Sequence, residues 1–213
     1  MNWTEASSLA TGAGTLVLAI ATFGSVRSAN RAARIAEQSL RAGLRPVLIP
    51  TREDDAHGHV TFGDGHRVDV PGHSAVIDAE NGVVYLVVGV RNAGAGVAVI
   101  HGWRAHAFDP DTPAASAERP DPDDFRRQQI DLYIPVGEAG VWLGAMRDPA
   151  EPRHRKLEAA AISGARVLID LLYGDIEGGQ RAIVRFSAQQ SEDGSGYNVT
   201  ILRHWNVDGV DPR

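Results

Sequence analysis

The chain has 213 residues, 43% hydrophobic and 23% charged, with 11 prolines and no cysteine, a composition that excludes a disordered or collagen-like chain. Without cysteine there is no disulfide framework, zinc–thiolate site or thiol nucleophile. A net charge of −6 excludes the overall basic excess of a nucleic-acid binder.

That charge is unevenly spread: residues 1–45 carry +3, from Arg27, Arg31, Arg34, Arg41 and Arg45 against Glu5 and Glu37, and the remainder carries −9. Between Glu5 and Arg27 lie 21 uncharged residues, Ala6 to Val26. A helix needs about 20 apolar residues to cross a bilayer core, so residues 1–26 read as a transmembrane anchor. A buried helix of a soluble domain competes with this reading, but such a helix should show a polar face, and this run has none. A cleaved signal peptide also competes, yet it would carry positive charge before the apolar run. Here the arginines follow the run. Positive flanks stay in the cytoplasm, so the expected location is the cell membrane, single-pass, with the N-terminus outside and residues 27–213 inside. Ala6, Ala10 and Gly14 recur every four residues. Small residues at that spacing let membrane helices approach closely, and they mark a face for self-association into a homo-oligomer.

Residues 27–45 read as a basic amphipathic helix. Arg27, Arg31, Arg34, Gln38, Arg41 and Arg45 share one stripe, and Ala29, Ala32, Ala33, Ala36, Leu40 and Leu44 lie opposite. Gly43 supplies a stop and Pro46 prevents continuation. The helix either extends straight from the span as a stalk or bends at Gly24–Ser25 to lie along the headgroups. In either case Arg27, Arg31, Arg34 and Arg41 are the candidates for contact with lipid or an acidic partner.

From Pro46 the hydrophobic period changes to two. Strands are expected at 47–49, 82–90, 97–108, 130–134, 140–143, 167–173, 182–188 and 197–205, with one helix at 152–162. Turns fall at Asn92-Ala93-Gly94, Val136-Gly137-Glu138, Glu177-Gly178-Gly179 and residues 193–196. Residues 109–124 hold four prolines and five aspartates and read as a surface loop. The expected class is mainly β: a sandwich over residues 46–213 behind the membrane helix and its juxtamembrane extension.

The order of a membrane helix, a basic helix ending in Arg45-Pro46, and strands around residues 90–98 (Val90-Arg91-Asn92-Ala93-Gly94-Ala95-Gly96-Val97-Ala98) resembles a class of bacterial single-pass membrane proteins. Residues 131–137, 172–181 and 203–206 (Arg203-His204-Trp205-Asn206) resemble blocks in actinobacterial members. The resemblance implies an immunoglobulin-like β-sandwich as the cytoplasmic domain. It implies an architecture and no activity.

Four motifs bear on chemistry. Gly94-Ala95-Gly96 follows a hydrophobic strand as a dinucleotide fingerprint does, but a strand-like segment comes next where that fingerprint needs a helix N-terminus. The simpler expectation is a hairpin in which Asn92 bonds local backbone and the glycines take positive φ. His57, His59, His66 and His73 lie among Asp54, Asp55, Asp64 and Asp69. No third ligand has a diagnostic metal spacing, so a solvated hairpin is the main reading and a weak divalent-metal site the other. Asp175, Glu177, Arg181 and His204 are ligand or acid–base candidates if the last strands adjoin, although Asp175 to Gly179 also reads as a hairpin turn. Trp103, Trp142 and Trp205 read as packing. The expected function is a membrane-tethered interaction or scaffold module with a protein partner, no cofactor and no nucleic acid. The competing class is a small-ligand or metal sensor, or an enzyme, with a site near Asp175, Arg181 and His204.

Overall fold

The computed structural model describes residues 3–112, 117–192, 194, 196–209 and 211, without the side chains of residues 3–10 and 131. The chain divides into two units, Met1–Gly43 and Leu44–Arg213.

The first unit is one helix, α1 (Trp3–Gly43), of 41 residues. At 1.5 Å per residue it is about 60 Å long. It runs unbroken through Gly24 and Ser25, where a bend was one expectation. Within the uncharged part, the hydroxyls of Thr15 and Thr22 donate to the Thr11 and Leu18 carbonyls at 2.9 and 2.7 Å. These polar groups are therefore satisfied inside the helix itself. Gly43 is the last helical residue.

The second unit is mainly β. Its strands are β1 (Leu48–Pro50), β2 (Gly58–Thr61), β3 (Arg67–Val70), β4 (Ser74–Glu80), β5 (Val83–Asn92), β6 (Ala98–Ala107), β7 (Arg126–Ile134), β8 (Ala139–Met146), β9 (Val167–Gly174), β10 (Ala182–Gln190) and β11 (Tyr197–Asn206). The one α-helix among its described residues is α2 (His154–Ser163), closed by Gly164 at φ 68°. Nine strands form one antiparallel sheet in the order β1-β5-β4-β11-β10-β9-β6-β7, with β8 on β5. β4 and β1 share one edge of β5, at Val83–Val88 and Val90–Asn92, and β8 runs along the other. An immunoglobulin constant domain divides seven strands between two sheets; here one hydrogen-bonded sheet holds nine, eight on a continuous path and β8 branching from β5.

One core joins both halves of that path. Leu86, Val88, Ile100, Trp142, Ile169, Val184 and Phe186 are buried together, with Leu157 of α2. Trp103 meets Trp142 edge-to-face at 5.5 Å, a geometry favoured by the ring quadrupoles. Two smaller clusters cover the outer faces. Phe62, Val68 and Val70 of the β2–β3 hairpin pack on Tyr85 and Val87. Phe125, Trp205 and Val207 pack on Leu172 and Ile183. This double cover is why β5 and β9 read as continuous apolar runs rather than alternating ones. β2, β3 and β4 are elements that the periodicity did not mark; the His-rich stretch is the expected hairpin, but it is packed on β5 rather than solvated.

Residues 93–97 correct another expectation. β5 and β6 are not paired with each other, so the segment is a crossover and not a hairpin. Its glycines also serve a different purpose, since neither Gly94 nor Gly96 has positive φ. A Cβ on Gly96 would overlap the Leu44 carbonyl oxygen, and one on Gly94 would overlap the Arg45 carbonyl and the Val47 nitrogen. Glycine is required because residues 44–47 pass directly over the crossover. Buried Asn92 fastens them. Its side-chain oxygen accepts from the amides of Val47 (3.2 Å) and Gly94 (3.0 Å), and its side-chain nitrogen donates to the Gly96 (2.6 Å) and Ile134 (3.0 Å) carbonyls.

On β6, β9 and β10, Arg104, Asp170 and Arg185 lie side by side in register. Asp170 and Arg185 are fully buried and form a fork, Nε to Oδ1 at 2.6 Å and Nη2 to Oδ2 at 2.8 Å. Arg104 Nε adds 2.8 Å to Oδ2, and the Trp205 ring covers Arg185 at 4.9 Å. Removing one partner of such a pair leaves an uncompensated buried charge, at about 3–5 kcal/mol. His106, two residues along β6, is largely buried, and its Nδ1 has no hydrogen-bond partner. Burial, against the opposing pull of Asp170, pushes its pKa down from 6.5 to about 4. An unfolded chain protonates this imidazole first, so its contribution is complete above pH 6.5 and is lost as pH falls toward 4. The contribution is on the order of 3 kcal/mol. Melting scans of wild type and His106→Gln between these limits check this: the wild type is expected to lose stability more steeply, and parallel pH profiles would contradict it.

Candidate functional site

Helix α1 carries the most distinctive surface in the chain. Its portion from Thr11 to Gly43 contains an apolar stretch, none of it buried, and is long and apolar enough to cross a membrane. Leu16, Val17, Leu18, Ile20, Phe23 and Val26 are all more than half exposed. Arginines begin one residue later. At 100° per residue, Arg27, Arg31, Arg34 and Arg41 fall within an arc of about 80°, as the sequence requires. Phe23, Arg27, Asn30, Arg31 and Arg34 line an open depression along this face. Arg41 pairs with Glu37 one turn back at 2.7 Å. Arg45 is a correction: it lies beyond the helix, and its guanidinium donates to the Asn206 side chain within the β-unit. Of the small-residue face, Gly14 has open space around it, while the side chains of Ala6 and Ala10 lie outside the described residues.

The acid–base candidates bond separate partners rather than one another. Asp175 closes the β9–β10 turn, accepting from the Gly179 amide at 2.7 Å and Gln180 Nε2 at 3.4 Å. Arg181 instead pairs with Asp208, Nη2 to Oδ1 at 2.6 Å, and this pairing holds the Asp208 carboxyl below its ordinary range. His204 Nε2 lies 3.0 Å from the Leu48 carbonyl, and Glu177 is exposed in the turn. Asp175, Arg181 and His204 therefore each have a structural role of their own. Asp208 is the partner that sequence reasoning missed, because it lies 27 positions from Arg181 and only the β10–β11 pairing unites them.

The histidines also separate. His59 pairs with Asp69 across the β2–β3 hairpin at 2.6 Å, both exposed. His73, at φ 57°, meets Thr51 through its backbone amide (3.0 Å) and Nδ1 (3.1 Å). Asp55 bonds Arg91 at 2.7 Å. Among the described residues, His66 is the histidine that meets two carboxylates: Nδ1 is 3.1 Å from Glu80 Oε2, and Nε2 is 3.5 Å from Asp78 Oδ2. Asp78 and Glu80 belong to β4, an element absent from the sequence-based expectations, so spacing within residues 54–73 could not reveal them.

No protein-family model, curated protein or solved structure matches the chain.

The arginine arc has a measurable consequence. An arginine near an anionic leaflet gains about 1 kcal/mol, and Arg41 gains less because Glu37 offsets it. Changing Arg27, Arg31 and Arg34 to Gln in a fragment of residues 27–213 is expected to weaken sedimentation with phosphatidylserine vesicles on the order of a hundredfold. Wild-type binding should also fall with salt; equal, salt-independent binding would contradict the assignment.

Proposed function

We propose that the chain is a membrane-tethered interaction module that displays its β-unit at the cytoplasmic face of a cell membrane. The observation that carries this reading is α1, one unbroken helix whose exposed apolar half is followed at once by a basic half. Every backbone group inside a bilayer core must be satisfied internally, and a continuous helix does this. The arginines then favour retention of residues 27–213 on the cytoplasmic side. They also counter the −9 charge borne by residues 46–213, which an anionic leaflet would otherwise repel.

A protein partner suits the surface of the β-unit. β7 ends the strand path and leaves Ile130 and Tyr133 exposed. A terminal strand with apolar side chains is a recognition element for an added strand or loop. Asp175, Arg181 and His204 each bond a separate partner, and that arrangement lends the enzyme alternative no positive support.

Single cysteines test the topology in this cysteine-free chain. In intact cells, a cysteine at Asn2 is expected to react with an impermeant maleimide, and one at Glu118 to react only after lysis. The reverse pattern would overturn the orientation. A product lacking residues 1–26 would identify a signal sequence instead.

A further inference from the structure

We propose that His66 and Asp78 bind a zinc ion, with Glu80 orienting the imidazole. His66 follows Gly65, which takes φ 90° in the turn joining β2 to β3. Its backbone carbonyl accepts from the Phe62 amide at 2.8 Å. Its ring stacks on Tyr85 at 3.9 Å and 12°, and the Tyr85 hydroxyl donates to Asp64 at 2.7 Å. The other oxygen of Asp64 accepts from the His66 amide at 3.2 Å. Both the turn and the ring plane are thus fixed before any ligand arrives.

Opposite the ring, Asp78 and Glu80 are two residues apart on β4 and share one face of the strand. Glu80 Oε2 lies 3.1 Å from Nδ1. A carboxylate there accepts the Nδ1–H and leaves the lone pair on Nε2. That nitrogen is buried and has no hydrogen-bond partner, and it lies 3.5 Å from Asp78 Oδ2. A cation placed between them would meet both the Nε2 lone pair and the Asp78 carboxylate. Two ligands about 2.1 Å from a tetrahedral zinc stand about 3.4 Å apart. A histidine that donates its other ring N–H to a carboxylate is the usual companion of a metal-bound imidazole.

The donor set selects the ion. One imidazole and one carboxylate, with no thiolate, suit Zn²⁺; calcium and magnesium prefer all-oxygen shells. The side chains of Asp78 and Glu80 are 50% and 57% exposed, so water can complete the coordination. The ion would staple the β2–β3 hairpin to β4, holding Phe62, Val68 and Val70 over Tyr85 and Val87.

Zinc titration of the chelator-stripped full chain in detergent micelles tests the site. Calorimetry is expected to show saturable binding that magnesium does not displace. His66→Gln and Asp78→Asn should each weaken binding at least tenfold, and Glu80→Gln by roughly tenfold. His59→Gln, at an exposed pair outside the site, should leave it unchanged. Zinc should also slow hydrogen exchange at the Phe62 and Val70 amides, and a zinc-edge X-ray spectrum of the wild type should show one imidazole. Absence of zinc binding, an unaffected His66→Gln, or a spectrum without imidazole would overturn the proposal. The spectrum stands even if a variant misfolds.

Discussion

Asn92 is the constraint on which the β-unit depends. Its side chain serves two amides and two carbonyls, and its backbone bonds Glu138 and Gly137 at 3.0 and 2.9 Å. Those six bonds tie together the start of β1, the β5–β6 crossover and the turn between β7 and β8. A buried amide earns its place only when every donor and acceptor is satisfied, and here the surrounding backbone supplies each partner. The Arg45 and Val47 carbonyls accept in turn from the amides of Ala95 and Ala93. The chain leaving α1 is therefore part of the fold from Leu44 onward, ahead of its first strand.

The rest of the unit follows from covering two sides of one sheet. Inner-facing residues of the two halves of the strand path make the main core. The hairpin of β2 and β3 and the segments around Phe125 and Val207 seal the outer faces. Sealing an outer face buries whatever polar groups lie on it, and this is why Arg104, Asp170 and Arg185 form a matched set. A covered face also restricts where chemistry can occur, and His66, at the rim of the hairpin, keeps one side near water.

Much of this was legible from sequence. The uncharged run before Arg27, the continuous apolar strands of residues 82–90 and 167–173, and the proline-rich loop all depend on local pattern, and local pattern suffices for them. Glu80 and Asp78 were not legible as partners of His66, because cross-strand neighbours are set by register and not by spacing. Asn92 was read as a local turn former. Its bond to Gly94 fits that reading, but those to Val47 and Ile134 come from segments 45 and 42 positions away. The glycines beside it were assigned a positive φ when their real requirement is space for another backbone, which no sequence pattern encodes. Asp175, Arg181 and His204 were grouped by residue type, but each bonds a different partner: the Gly179 amide, Asp208 and the Leu48 carbonyl.

Equilibrium unfolding of Asn92→Ala in the full chain, in detergent, tests the central claim most directly. Truncation leaves two buried amides and two carbonyls without their partner, at about 1–3 kcal/mol for each group left unsatisfied. The account predicts a loss of at least about 3 kcal/mol, together with faster hydrogen exchange at Ala93 and Ala95, where residues 44–47 are held. An Asn92→Ala chain within about 0.5 kcal/mol of wild type, with those amides still protected, would contradict it.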